Sequence, residues 1–263
     1  MQMDLTGKRA FVSGSTQGIG FAVAAALLGE GASVVVNGRT QTNVDAAVRT
    51  LRAAVVGSDV SGIAADFGRP DEVVALLAAL GEVDILVNNV GMFGVAPFAD
   101  ISDDEWQRYF EVNVMSGVRL SRHVIGAMLA KNWGRIVFVG SESGVNVPAD
   151  MLHYGMTKAG MLAVSNGLAK LTRGTRVTVN TVLGGPTFSD GVAAAVDQIA
   201  RAQGMPSDDL RAAIAAANQT SLLQRFIEPG EIANLVLYLA SPLSSATNGA
   251  AVRADGGVLT TIV

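Results

Sequence analysis

The chain has 263 residues, of which 49% are hydrophobic and 16% are charged, with a formal net charge of −4 and no cysteine. This length allows one α/β domain with a large core, and the lack of cysteine excludes disulfides, thiolate catalysis and cysteine-ligated metals. The slightly negative charge gives no reason to expect nucleic acid or an anionic membrane as a partner. No apolar run resembles a signal peptide or is long enough to span a bilayer, so we expect a cytoplasmic protein.

Short apolar runs of strand length alternate with longer helical patterns along the whole chain. The predicted strands cover 8–13, 33–37, 60–65, 83–87, 135–140, 176–181 and 250–254. The predicted helices cover 18–29, 42–53, 71–80, 103–130, 154–171 and 229–240, with a further Ala-rich section near 190–218. This alternation predicts the α/β class, a Rossmann-type doubly wound parallel sheet of about seven strands with helices on both faces. No repeat or linker divides the chain, so we predict a single domain over residues 1–263.

A glycine-rich turn follows the first predicted strand. Gly14, Gly18 and Gly20 lie between that strand and a helical run that begins at Phe21. Glycines allow the backbone to turn tightly and to approach a pyrophosphate, which then sits at the positive end of the next helix. The spacing G-x-x-x-G-x-G differs from the G-x-G-x-x-G of other dinucleotide folds. The pattern indicates a nucleotide-binding start, and a turn without a ligand is the alternative.

A tyrosine and a lysine occupy one face of the predicted helix over 154–171. Tyr154 and Lys158 stand at positions i and i+4, so their Cβ atoms are neighbours. An ammonium beside a phenol favours the phenolate and can lower a pKa of roughly 10 toward neutrality. Tyr154 is therefore a candidate general acid/base, and Ser141, upstream of it, is a candidate donor to a developing oxyanion. The alternative for the pair alone is an ordinary surface contact.

These features together resemble the short-chain dehydrogenase/reductase family in its single-domain form. The likeness extends over nearly the whole chain, and the motifs come in the order that the family has. They are Gly14 to Gly20, Asp66, Asn88-Asn89-Val90-Gly91, Asn113, Ser141, Tyr154 with Lys158, and Asn180.

The resemblance implies an oxidoreductase that transfers a hydride between a nicotinamide cofactor and a small-molecule carbonyl or secondary alcohol. The carbonyl oxygen would lie between Ser141 and Tyr154, with Tyr154 as its proton donor. Lys158 would lower the tyrosine pKa and hold the nicotinamide ribose, and Asn113 would keep a water in the proton path. The cofactor-binding residues that the resemblance implies are Gly14, Ser15, Gly18, Ile19, Gly20, Arg39, Asp66, Phe67, Asn89, Gly91, Tyr154, Lys158 and Thr187.

The end of the second predicted strand bears on the choice of cofactor. An NAD site usually offers a carboxylate to the ribose hydroxyls here, but by resemblance Gly38 takes the acidic position and Arg39 follows it. A guanidinium can pair with a 2′-phosphate, and the Ser15 hydroxyl is a second candidate donor. Gln17 stands where many NADP-preferring relatives have a basic residue, and a solvated Arg39 is the alternative. We predict NADP(H) rather than NAD(H).

Three further regions remain open at this stage. Residues 187–223 correspond to the variable substrate lid of the family. Glu142, beside Ser141, can face the substrate or point to solvent, and we expect solvent; His153 can line the pocket or lie on the surface. Two histidines without a carboxylate cluster predict no metal site. Relatives commonly form homodimers or homotetramers, and we expect the same of this chain.

Two alternative functions are weighed against the reductase. The first is a catalytically silent NADP(H)-binding protein that acts as a sensor or scaffold, and the intact set of Asn113, Ser141, Tyr154 and Lys158 argues against it. The second is another nucleotide-dependent enzyme on a similar sheet, such as a methyltransferase or an epimerase. Epimerases share Y-x-x-x-K, but their glycine turn usually differs and their chains are longer.

Overall fold

The fold is built on one parallel sheet, in a computed structural model that describes residues 3–262. Seven strands within this range lie in the order β3-β2-β1-β4-β5-β6-β7. They are β1 (Arg9–Val12), β2 (Ser33–Gly38), β3 (Val60–Ala64), β4 (Ile85–Asn88), β5 (Gly134–Val139), β6 (Val177–Gly184) and β7 (Ala251–Ala254). The predicted Rossmann-like α/β fold is confirmed, because every strand forms where the apolar runs placed it.

Helices connect the strands and cover both faces of the sheet. Within the described residues they are α1 (Gly18–Gly29), α2 (Gln41–Ala54), α3 (Pro70–Leu80), α4 (Asp103–Tyr109), α5 (Ser116–Ala130), α6 (Leu152–Leu171), α7 (Asp190–Gln203), α8 (Ser207–Ala217) and α9 (Pro229–Ala240). None of these helices combines the length and the hydropathy needed to cross a bilayer.

Two predicted helices are interrupted in the structure. The helix expected over 103–130 contains a π-helical segment, Phe110–Met115, between α4 and α5. The Ala-rich section divides into α7 and α8, because Gly204 adopts a left-handed conformation with φ 67° and ends α7. The first interruption contains Asn113, and the second lies within the segment 187–223 that was expected to form the lid.

The core consists of two apolar layers, one on each side of the sheet. Alternate strand residues enter opposite layers, so Val12 and Val36 pack on the side of α1 and α9. Phe11 and Val35 pack on the other side, against buried residues of α3, α5 and α6. This period of two is what a strand buried on both faces requires.

The carboxyl edge of the sheet brings the sequence motifs together. The chain order reverses between β1 and β4, which pair directly although two strands separate them in sequence. Open parallel sheets bind ligands at such a switch point, outside the carboxyl ends of the strands. The glycine turn after β1, Asn89 after β4 and Ser141 after β5 all lie at this edge.

Candidate active site

The glycine turn is held by side chains from two neighbouring strands. Asn89 donates from Nδ2 to the carbonyl oxygens of Ser13 and Gly14, at 3.0 and 2.8 Å. The buried Ser13 hydroxyl donates to Val87 O and accepts from the backbone N–H groups of Asn89 and Val90. Asn89 therefore fixes the turn itself, which is a structural task that the motif alone did not indicate.

A second contact to the turn comes from Asn37, which sequence reasoning missed. Its Oδ1 accepts from Gly14 N at 3.0 Å, and its Nδ2 donates to the carbonyl oxygens of Ile63 and Ala65. Its backbone N–H donates to the Ser15 hydroxyl, which itself donates to Val12 O at 2.6 Å. An asparagine that ends the apolar run Val34–Val36 was the available signal, because a buried polar side chain needs partners.

This geometry corrects the role expected of the Ser15 hydroxyl. Ser15 is fully buried, and its hydroxyl proton points at Val12 O inside the turn. The hydroxyl therefore does not present a donor outward to a 2′-phosphate. Ser15 contributes to the turn through its side chain and can meet a ligand only through its backbone.

The start of α1 differs from the starts of the neighbouring helices. α4 has a Ser102 side-chain cap and three acidic residues in its first turn, whereas α1 has no side-chain cap and no acidic residue there. An uncapped helix start exposes N–H donors and a partial positive charge to an outside anion. Gly18 N indeed donates to an anion from a distant segment, the Asp190 carboxylate at the start of α7, at 2.6 Å.

Two glycines at this edge cannot carry a side chain in the observed geometry. A Cβ on Gly20 would stand 2.4 Å from Gly14 O and 2.5 Å from Asn89 Nδ2. A Cβ on Gly38 would stand 2.4 Å from Thr16 Cγ2. Thr16, a residue of the turn that the sequence analysis did not single out, thus occupies the space that a side chain at position 38 would need.

The remaining expected cofactor residues surround this turn. Arg39 is exposed just after β2, and Asp66 is partly buried after β3, where its Oδ1 accepts from Gly68 N at 2.9 Å. Phe67 is buried in the core, so only its backbone can face a ligand. Ile19 packs its side chain against the core in the same way.

Asn113 is buried inside the π-helical segment and makes three hydrogen bonds. Its Oδ1 accepts from Met92 N at 2.8 Å, while its Nδ2 donates to Met92 O and to the Thr157 hydroxyl. The side chain therefore ties the loop after β4 to α6. The π segment leaves backbone carbonyls out of the regular helical pattern, and the water that the family resemblance implies stays a prediction.

Lys158 is buried and lies close to both of these elements. Its Nζ donates to Val139 O at 2.9 Å, and a Cβ on Gly91 would stand 3.5 Å from it. Burial lowers the pKa of Lys158 to about 8, against a rise caused by the negative charge of Glu142. The ammonium is thus poised to lose its proton slightly above neutral pH.

Ser141 stands at the end of β5 with its hydroxyl already engaged. The hydroxyl donates to Glu142 Oε2 at 2.5 Å, and its oxygen accepts from Ser143 N at 3.1 Å. The Ser143 hydroxyl donates to the other carboxylate oxygen of Glu142 at 3.2 Å. The expectation that Glu142 points to solvent is therefore wrong, because its carboxylate turns back onto the serine pair.

Tyr154 and Lys158 lie together on α6, but the expected drop in the tyrosine pKa is absent. Burial raises the pKa of Tyr154 to about 12, against a lowering by its hydrogen bond with Ser141; Glu142 and Tyr109 raise it further. Lys158 Nζ is 5.7 Å from the centre of the Tyr154 ring and is not among these causes. Among protein groups alone, the phenol is held in its protonated form at neutral pH.

The wall behind Tyr154 is aromatic. His153 is buried, and its ring lies edge-on to Tyr109 with centroids 4.0 Å apart and to Trp106 at 6.1 Å. No hydrogen-bond partner for its Nδ1 lies within the described residues. His153 thus belongs to the packing behind the site, where the sequence had left a pocket wall and a surface position open.

Thr187 lies where β6 passes into the segment that was expected to form a lid. The backbone of Thr187 forms an isolated parallel β-bridge with Ile227, and the Thr187 hydroxyl donates to Gly185 O at 2.9 Å. Two helices, α7 and α8, follow it. Within residues 3–262, no cluster of three or more histidine and carboxylate side chains could hold a metal ion.

Comparisons with known proteins identify relatives that match nearly the whole chain. Residues 8–200 match a family described as short chain dehydrogenase. The uncharacterized oxidoreductase YvrD of Bacillus subtilis is 46% identical over 263 residues, covering 98% of this chain and 99% of that protein. The D-beta-hydroxybutyrate dehydrogenase of Cupriavidus necator is 32% identical, covering 96% of this chain and 98% of the relative.

A solved structure is similar over the full length. The L-sorbose reductase of Gluconobacter frateurii, in complex with NADPH and L-sorbose, superposes with a TM-score of 0.93 at 30% identity. The match covers 100% of both chains. The likeness includes the segment from Thr187 to Leu223 as well as the sheet.

Proposed function

The chain belongs to the short-chain dehydrogenase/reductase family of oxidoreductases, and from this premise we propose that it reduces a ketone to a secondary alcohol with NADPH. The reverse reaction is the oxidation of the alcohol with NADP⁺. Tyr154 is the general acid/base, assisted by Ser141 and Lys158. One observation carries the proposal: the buried Lys158 lies beside Tyr154 on α6, with its Nζ 5.7 Å from the centre of the tyrosine ring and bonded to Val139 O at the end of β5, two residues before Ser141.

The residues at the switch point fit a nicotinamide dinucleotide. At the uncapped start of α1, Gly18 N donates a hydrogen bond to the Asp190 carboxylate, and the backbone of the turn from Gly14 to Gly20 would hold the pyrophosphate. Asp66 and the backbone of Phe67 would border the adenine, Gly91 the adjacent ribose and Thr187 the carboxamide. When bound, the cofactor would supply the hydride for the carbonyl carbon.

A preference for NADP(H) rests on the end of β2. Gly38 offers no carboxylate that would repel a 2′-phosphate, and the exposed Arg39 can pair with one. The bound NADPH of the L-sorbose reductase supports the same choice. An acidic side chain at position 38 would also collide with Thr16.

Proton transfer in the reductive direction follows from the pKa values. Because the pKa of Tyr154 is raised to about 12, the phenol keeps its proton at neutral pH and can give it to the carbonyl oxygen. Lys158, with a pKa of about 8, carries the positive charge that stabilises the phenolate left behind. The positions of Asn113 and Thr157 fix this part of α6.

The test is oxidation of NADPH over a panel of ketones, with NADH in parallel and Tyr154→Phe as the blank. We expect turnover with NADPH that disappears in the variant, while NADPH binding, followed by fluorescence, is retained. Equal rates in the two proteins would overturn the assignment of Tyr154. Binding of NADPH without turnover on any ketone would favour the silent sensor or scaffold.

Three coarser expectations accompany the proposal. Residues 187–223 act as the substrate lid of a single domain, with α7 and α8 closing over the cofactor. The chain forms a homodimer or homotetramer, which the exposed Phe110 and Met156 in a surface groove of about 660 Å³ support. Light scattering tests the oligomeric state, and fractionation of the source cells tests the predicted cytoplasmic location.

A further inference from the structure

The hydroxyl of Ser141 has one proton, and the structure directs that proton away from the expected substrate oxygen. Ser141 Oγ donates to Glu142 Oε2 at 2.5 Å, a short distance typical of a hydroxyl on a carboxylate. The oxygen itself accepts from Ser143 N. A serine held in this way cannot donate to a carbonyl oxygen until something else satisfies the carboxylate.

The carboxylate of Glu142 is fixed in place. Its two oxygens accept from the hydroxyls of Ser141 and Ser143, on the short 3-10 turn that follows β5. Gly144, next along this turn, approaches α6 so closely that a Cβ on it would stand 2.8 Å from the Lys158 carbonyl carbon. The turn and α6 are therefore packed together, and the two serine hydroxyls on this turn hold the Glu142 carboxylate.

From this arrangement we propose that Glu142 is a specificity residue, and that the substrate is a ketone with a hydroxyl on the carbon next to the carbonyl. The substrate hydroxyl donates to the Glu142 carboxylate in place of Ser141, and the freed Ser141 proton then bonds the carbonyl oxygen. This inference rests on the proposed function, because it assigns the substrate class of the same site.

The geometry of an α-hydroxyketone suits this exchange. Its hydroxyl and carbonyl oxygens sit on adjacent carbons, so they are separated by about the length of one hydrogen bond. That matches the adjacent positions of the Glu142 carboxylate and the Ser141 hydroxyl, 2.5 Å apart. A ketone without a hydroxyl has no donor that could replace Ser141 on the Glu142 carboxylate. An α-keto acid would be repelled, because its own carboxylate would lie beside that of Glu142.

The chemical step remains balanced. A hydride adds to the carbonyl carbon and the Tyr154 proton goes to the carbonyl oxygen, so the product is a vicinal diol. Glu142 accepts a hydrogen bond throughout and neither gains nor loses a proton. Its effect is to make the transition-state donor, Ser141, available only when the correct substrate is bound.

The experiment compares 1-hydroxybutan-2-one with butan-2-one, two ketones that differ by a single hydroxyl, under saturating NADPH. We expect wild type to favour the hydroxyketone in kcat/KM, and Glu142→Ala to reduce this ratio by roughly tenfold or more, the usual loss for a hydrogen bond to a charged group. The ratio falls because the rates on the two ketones change in opposite directions. The variant slows on the hydroxyketone and becomes faster on butan-2-one, because Ser141 is released; a merely structural role would not accelerate the plain ketone.

A matched control removes a carboxylate from the same loop. Asp150 is exposed, and we expect Asp150→Ala to keep the wild-type ratio. Glu142→Leu, which has a similar length but no hydrogen-bond acceptor, replaces the alanine variant if thermal melting shows that the latter fails to fold. An unchanged ratio in a folded Glu142 variant overturns the proposal.

The assay also separates this inference from the proposed function. If both ketones are reduced equally and Tyr154→Phe abolishes both reactions, the reductase stands and the substrate class is wrong. If neither ketone is reduced while NADPH still binds, the substrate class is likewise overturned. If the wild-type protein does not bind NADPH, the proposed function itself is overturned.

Discussion

The glycine turn and the region around Tyr154 and Lys158 differ in the kind of polar group that each one buries. At the glycine turn, neutral side chains such as Asn37, Asn89 and Ser13 donate to or accept from backbone groups, and each is engaged in several hydrogen bonds. At the end that holds the proposed catalytic residues, Lys158 is buried and burial raises the pKa of Tyr154 to about 12. The polar groups of the glycine turn stabilise the folded protein through hydrogen bonds, whereas burial of the ionisable groups at Lys158 and Tyr154 lowers its stability.

This difference indicates how the fold divides its tasks. A saturated network of neutral groups makes a rigid frame that holds a turn in one geometry. Buried ionisable groups with displaced pKa values cost stability but are ready to move protons. Substitutions at the two ends should therefore have opposite effects on stability, and this contrast can be tested directly.

The largest effect is expected for a substitution of Lys158, which should lower activity and raise stability. We expect Lys158→Met to lower kcat by about 10³-fold, since it removes the charge that stabilises the phenolate, while the melting temperature rises. Burial lowers the pKa of Lys158 from 10.5 to about 8, so folding costs about 3 kcal/mol below pH 8, where the lysine is charged in both the folded and the unfolded state.

The sign of this effect depends on pH. Below pH 8 both states carry the proton and the cost is complete; as pH rises from 8 to 10.5 the unfolded state alone holds the proton, and the cost disappears. The stability advantage of the variant should therefore shrink over that range in chemical denaturation. Lys170→Met, an exposed change on the same helix, is the control, and an equal gain there would contradict the interpretation.

At the other end, Gly20→Ala should destabilise the protein. The new methyl group would stand 2.4 Å from Gly14 O and 2.5 Å from Asn89 Nδ2, and we expect a loss of about 2 kcal/mol in the free energy of unfolding. NADPH binding should fall with it. Gly126→Ala is matched to it, because no heavy atom lies within 4 Å of its new Cβ in α5, and there we expect a gain of roughly 0.5–1 kcal/mol.

A smaller effect is expected on the choice of cofactor. Arg39→Ser should raise the KM for NADPH by about tenfold, the value of one charge-assisted hydrogen bond, and should leave the KM for NADH unchanged. Initial-rate kinetics with the two cofactors provide the measurement. Arg49→Ser, an exposed arginine on α2, serves as the reference, and a parallel loss with both cofactors would show that Arg39 does not discriminate between them.

The smallest effect concerns the pH profile. Reduction should slow above about pH 8 as Lys158 loses its proton, because the pKa of Tyr154, at about 12, lies too high to contribute. Glu142 raises the pKa of Lys158, so Glu142→Gln should move this alkaline limb to lower pH. A limb that stays in place would show that another group controls it.

Local patterns predicted the strands and most of the helices because burial on two faces leaves a continuous apolar signature. The breaks were harder to predict: the π-helical segment at Phe110–Met115 carries no composition signal that distinguishes it from an ordinary helix. Tyr154 and Lys158 lie near each other on α6, as their spacing indicated, and their catalytic role stays a prediction. Their electrostatics were not predicted, because the pKa of Tyr154 depends on burial that spacing cannot report.

Contacts between distant parts of the chain were beyond the reach of the sequence. Gly18 N donates a hydrogen bond to Asp190, which is 172 positions away in sequence. The residues around each of them contain no pattern that predicts this contact. The Glu142 carboxylate is adjacent to Ser141 in sequence, yet its direction depends on how the turn after β5 packs on α6. Sequence patterns indicate which residues reach an edge, and tertiary packing decides where their side chains point.

The closeness of Thr16 to Gly38 means that the proposed cofactor preference would depend on a pair of positions. An aspartate introduced at position 38 alone would collide with the threonine methyl group, whose Cγ2 is 2.4 Å from the new Cβ. The threonine methyl group must move for the aspartate to be accommodated. A second change, to a smaller residue at position 16, should therefore make a switch toward NAD(H) easier than the aspartate alone.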